Sequence, residues 1–104
     1  MKLEKKYNQS NGEYYCELTR KLDEVCGYAV NHPRYKHYIC DTRDLWRNCL
    51  VIRVPGRTTG SIQVDKDNVI TRISFAMDLI GNVKQYPENI YGEVEKYIGV
   101  ALEM

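Results

Sequence analysis

The sequence predicts an α+β domain in which a small antiparallel sheet of three or four strands is flanked by an N-terminal and a C-terminal helix. Three observations lead there. Apolar residues recur at helical spacing near both ends, β-branched residues crowd the middle, and Pro, Gly, Asn and Asp cut that middle into strand-length pieces. With 104 residues, 43% of them hydrophobic and 28% charged, the chain has the size and composition of one folded domain spanning 1–104.

Residues 1–9 are polar without a sustained period and read as a frayed arm or an edge strand. Ser10 and Glu13 have the spacing of a capping box, in which a hydroxyl and a carboxylate satisfy backbone N–H groups at a helix start. Beyond them Tyr15, Leu18, Leu22, Val25, Cys26 and Ala29 share one helical face, opposite Glu17, Arg20, Lys21, Asp23 and Glu24. That pattern predicts a helix over 12–30. Pro33 ends it, because the residue before proline avoids helical dihedrals. Over 35–40, Tyr35, His37 and Ile39 alternate with Lys36, Tyr38 and Cys40, as a half-buried strand requires. Residues 41–44 read as a turn that leads into Leu45 and Trp46.

The run 49–54 is dense in β-branched residues and predicts a well-buried strand, which Pro55 and the glycines of 55–60 interrupt. A hairpin follows, with strands over 61–65 and 69–75 joined at Lys66, Asp67 and Asn68. Residues 76–81 suit either an extension of that strand or a turn of helix. Pro87 and Glu88 fit the first turn of a final helix, where a missing N–H costs nothing and the dipole favours negative charge. Its buried stripe is expected to be Tyr91, Val94, Ile98, Ala101 and Leu102. Gly92 and Gly99 each weaken that helix by about 1 kcal/mol relative to alanine.

No apolar run follows the basic residues at the N-terminus, and no window approaches the ~18 apolar residues of a membrane span. A cytoplasmic protein without membrane contact is expected. Cys16, Cys26, Cys40 and Cys49 contain no CxxC pair, so they are expected as reduced, packed thiols.

The net charge of +1 hides an uneven distribution. Residues 32–57 carry six Lys or Arg against two Asp, a local +4, while residues 86–104 carry four Glu against one Lys, a local −3. Five of the six bases are arginine, whose planar fork suits carboxylates and phosphates. Arg34, Tyr35, Lys36, Tyr38, Arg43, Trp46, Arg47 and Arg57 are the candidate binding residues of this segment. Arg, Tyr and Trp are the residues most often found as interface hot spots, and the same mixture binds single-stranded nucleic acid. The plainer alternative places Trp46 and one Tyr in the core, with the arginines meeting the acidic C-terminal segment or water. Nine Tyr against one Phe favours rings at the boundary of core and solvent.

Other chemistry is thinly represented. Cys26, His32, His37 and Cys40 have zinc-ligand types but lack the close cysteine spacing that preforms half a site. A cysteine nucleophile would need His37 beside Cys40 or Cys49 and an orienting Asp41 or Asp44. Asp65 and Asp67 sit where a hairpin turn favours acids, and the 55–60 loop lacks the Lys-Ser/Thr of a phosphate cradle. No catalytic residue, metal or cofactor is expected. The expected function is that of a small non-enzymatic binding protein docking on a larger protein, an inhibitor or adaptor of phage or mobile-element type, for example of a nucleic-acid-processing machine. The alternative is a nucleic-acid-binding module using the same surface; self-association is a third partner class.

Overall fold

The computed structural model describes residues 2–3, 7–8, 13–26, 36–43, 48–75 and 86–103. The chain runs β1 (Lys2–Leu3), β2 (Tyr7–Asn8), β3 (Glu13–Tyr15), α1 (Glu17–Val25), β4 (Tyr38–Asp41), β5 (Cys49–Val54), β6 (Arg57–Val64), β7 (Ile70–Phe75), α2 (Ile90–Val94), a 3-10 turn (Glu95–Tyr97) and β8 (Ala101–Leu102). This is a small mixed α+β fold. Its antiparallel sheet follows chain order, β2-β3-β4-β5-β6-β7, while β1 and β8 pair in parallel. Five strands have three residues or more, so the expected three or four undercounts the sheet; the surplus comes from short strands flanking the expected ones.

The centre of the sheet is as expected. In β5, Leu50, Ile52 and Val54 are buried and Cys49, Val51 and Arg53 half-buried, the alternation of a strand with one core face. Leu18 and Leu22 of α1 and Ile90, Val94 and Tyr97 near the C-terminus join Ile39, Leu50, Ile52, Ile62 and Ile73 in one apolar cluster. Both helices therefore cover the same sheet face. The turn at 65–69 is held by Asp65, whose Oδ1 accepts the N–H of Asp67 at 2.8 Å and of Val69 at 3.0 Å. Asn68 takes the left-handed conformation that Asn tolerates there.

Three boundaries differ from expectation. The first helix begins at Glu17 rather than 12, because Tyr14 and its neighbours pair with β4. Cys16 is the N-cap residue; its N–H donates to Thr19 Oγ1 at 2.9 Å, and the Thr19 hydroxyl donates back to the Cys16 carbonyl at 2.8 Å. Ser10 of the expected capping box lies outside the described residues, as do Ala29 and the segment 76–81.

The second difference is the 55–60 break, which shrinks to Pro55 and Gly56. Gly56 has φ of +89°, a value glycine reaches without a Cβ clash, and Arg57 already pairs with Val54. The third is the final helix, which stops early. Gly99 turns the backbone with φ of +88° and donates to the Ile70 carbonyl at 2.8 Å, and Leu102 donates to the Asn68 carbonyl at 2.8 Å. Ala101 and Leu102 thus form a strand, and Ile90, Val94 and Tyr97 supply the helical core contacts. Tyr91 and Ile98, expected inside, are 54% and 44% exposed.

Candidate functional site

Register places the candidate residues on two sides of the sheet. On the side away from the core, Tyr15 of β3 stands beside Tyr38 of β4, with ring centroids 6.3 Å apart, and Tyr38 is the cross-strand partner of Arg53. Arg53 pairs in turn with Thr58. The adjacent row reads Glu13, Cys40, Val51, Ser61 and Ser74. Glu13 accepts the Tyr15 hydroxyl. Arg53 Nε is buried and meets no hydrogen-bond acceptor among the described residues. Burial raises the Tyr38 hydroxyl and the Cys40 thiol above their ordinary pKa values, and the Arg53 charge opposes the rise at both.

Of the expected binding residues, Lys36 is exposed, Tyr38 half-buried on this outer face, and Arg57 exposed at the start of β6. Arg43 is tied to Asp41 of its own turn and to Asn68 of the 65–69 turn. Its Nε donates to Asp41 Oδ1 at 2.9 Å, Nη2 to Asp41 Oδ2 at 2.5 Å and Nη1 to Asn68 Oδ1 at 2.6 Å. Those bonds hold the Asp41 carboxyl below its usual range. Arg34, Tyr35, Trp46 and Arg47 lie outside the described residues. Arg53 is one of the six bases of 32–57 but not one of the expected binding residues; the alternation of β5 turns it to the outer face.

The core side holds a second polar group. His37, with no exposed surface, donates its backbone N–H to Asp23 Oδ1 at 2.8 Å, and its Nδ1 lies 2.7 Å from the same oxygen. Its Nε2 lies 2.9 Å from the Tyr86 hydroxyl, which is 2.8 Å from Thr59 Oγ1; that oxygen is 3.3 Å from the Ile52 carbonyl. A β-bulge makes this contact. Ile52 pairs with Gly60 and Arg53 with Thr58, so Thr59 has no cross-strand partner and turns into the core. Gly60 beside it permits the close approach of β7, since a Cβ there would lie 2.5 Å from the Ser74 carbonyl oxygen. Asp23, His37, Thr59 and Tyr86 span 63 positions without a common spacing, so no sequence pattern announces the group.

These placements decide between several candidate chemistries. His37 faces the core and Cys40 the opposite sheet face, so two of the four suggested zinc ligands are separated by the sheet; His32 lies outside the described residues. The same division keeps His37 from Cys40 as a base for its thiol. Cys26 is half-buried, its thiol pushed up to about 11 by burial and the Asp23 charge. A cleft of about 90 Å³ lies beside α1, lined by Glu17, Arg20, Lys21, Glu24, Lys96 and Tyr97. That is a few waters' worth of space, well short of a metabolite pocket. Lys21 pairs across to Glu93 at 3.3 Å. Among the described residues no helix is long and apolar enough to cross a membrane. The chain matches no family model, no curated protein and no solved structure.

Proposed function

We propose that the protein is a non-enzymatic binding protein that docks on a larger protein through the Arg/Tyr-rich segment 34–57, centred on the outer-face row of Tyr15, Tyr38 and Arg53. The observation that carries this reading is the row itself. Two tyrosine rings and a guanidinium stand side by side on a rigid sheet, where little side-chain entropy is lost on binding. The Arg53 guanidinium, half-buried on this face with its charge felt at Tyr38 and Cys40, suits a partner that presents a carboxylate. Glu13 is bonded to Tyr15 and Asp41 to Arg43, so the acids of this region are already paired. Acting by occupancy, the protein serves as an inhibitor or adaptor.

Capture from lysate of the source organism, with the full chain as bait and with or without nuclease, separates the partner classes. A protein retained at stoichiometric amount after nuclease is the expected result. Loss of all retained material on nuclease, with binding that falls steeply as salt rises, assigns the face to nucleic acid instead.

A further inference from the structure

We infer that Cys40 and Cys49 form a two-thiolate site on the outer sheet face that takes a soft monovalent cation, copper(I). The inference stands apart from the docking reading. Strand alternation turns both residues to this face: in β4 Ile39 is buried and Cys40 half-buried, and in β5 Leu50 is buried and Cys49 half-buried. Cys40 is the cross-strand partner of Val51, and Cys49 lies two residues before Val51 on the same face. The two cysteines are therefore diagonal neighbours on adjacent strands. At the end of this ladder the Thr42 hydroxyl donates to the Cys49 carbonyl at 2.8 Å and fixes the register. Cys16 and Cys26 lie elsewhere, at the two ends of α1 on the core side of the sheet.

Distance selects a metal over a disulfide. Diagonal residues on paired strands stand about 7–8 Å apart, their Cβ atoms somewhat closer. A disulfide needs Cβ atoms about 3.5–4.5 Å apart, so the bare thiols close on each other only if a strand moves. An ion between the sulfurs adds two bonds of about 2.3 Å and spans the gap with the strands in place. The number of ligands then selects the ion. Zinc takes four, and among the described residues no third His, Cys, Asp or Glu joins this pair, whereas copper(I) is satisfied by two thiolates in line. Binding breaks two S–H bonds, forms two copper–sulfur bonds and sends two protons to solvent, and the copper stays copper(I). The resulting negative charge lies on the face that carries the Arg53 guanidinium, two residues beyond Val51. Cys49 gives up only a weak bond, its thiol donating to the Leu50 carbonyl at 3.6 Å, when its χ1 turns to another staggered rotamer.

Titration of the reduced full chain, without oxygen, against the coloured bicinchoninate complex of copper(I) tests this. The expected result is withdrawal of an equimolar amount of copper(I), with X-ray absorption showing two sulfur neighbours. Alkylation by iodoacetamide read by mass spectrometry gives a check that needs no variant: copper(I) is expected to protect Cys40 and Cys49 and to leave Cys26 reactive. Cys40→Ser and Cys49→Ser, near-isosteric changes at half-buried positions, are each expected to lose the withdrawal, and Cys26→Ser to keep it. No copper(I) withdrawn, a coordination shell without two sulfurs, protection that falls on Cys26 instead, or full withdrawal by Cys40→Ser or Cys49→Ser overturns the inference.

Discussion

Gly60→Ala is expected to destabilise the protein by about 2–4 kcal/mol, a drop in melting temperature of ~10 °C or more for a domain of this size. The added Cβ would lie 2.5 Å from the Ser74 carbonyl oxygen, 3.2 Å from Phe75 Cδ1 and 3.3 Å from Phe75 Cα. Two of those atoms are backbone of the partner strand. They recede only if β6 and β7 separate where Gly60 pairs with Phe75 and Ser61 with Ser74. The bulge suffers too, because Gly60 follows Thr59 and its displacement pulls the hydroxyl from Tyr86. Gly92→Ala is the matched control. Nothing lies within 4 Å of its Cβ position, and α2 gains by about 0.5–1 kcal/mol from replacing a glycine. Thermal unfolding of the two variants checks the pair; equal melting temperatures would contradict the close approach of β7.

Asp23→Ala is expected to cost about 2–3 kcal/mol, because one carboxylate oxygen serves two donors of a buried residue. The His37 backbone N–H at 2.8 Å and its ring Nδ1 at 2.7 Å both lose their acceptor. The Asp23 side chain is 20% exposed, so water reaches part of the space and keeps the cost below that of a sealed ion pair. Asp23→Asn separates the two contributions. Its amide oxygen still accepts both hydrogens but brings no charge, so the loss shrinks to about 1 kcal/mol if hydrogen bonding dominates. Chemical denaturation of both variants reads this directly, and an Asp23→Ala protein as stable as the parent would show that the contact holds nothing together.

Where a residue's neighbours in sequence decide its environment, the fold was legible. Leu50, Ile52 and Val54 alternate with polar or half-buried partners, and Leu18 and Leu22 repeat at helical spacing; both patterns lead to the core directly. Tyr15 shows the limit. Its distance of three from Leu18 fits a helical stripe, yet the backbone at 13–15 is extended because it pairs with β4, a contact made across 25 residues. Gly99 is a second case. Inside an apolar stripe it reads as a costly helical residue, and only its bond to Ile70 shows that the chain turns there to lay β8 against β1 and Val69. The outer face was half legible. Tyr38 stands within the basic segment, but its pairing with Arg53 is a matter of register, and its contact with Tyr15 joins residues 23 positions apart. The His37 group was not legible, since its four side chains meet through a bulge that no spacing announces.

The most direct test of the outer face as the working surface is the affinity of the captured partner for the wild-type chain, Arg53→Gln, Tyr38→Ala and the turn variant Asp67→Ala, each with its melting temperature measured in parallel. Arg53→Gln and Tyr38→Ala are expected to bind about tenfold or more weakly, the loss of an interface anchor worth at least ~1.4 kcal/mol, while remaining folded. Asp67→Ala, exposed in the 65–69 turn, is expected to bind as the wild type does. Folded Arg53→Gln and Tyr38→Ala proteins that bind with undiminished affinity would contradict the account and move the interface off this face.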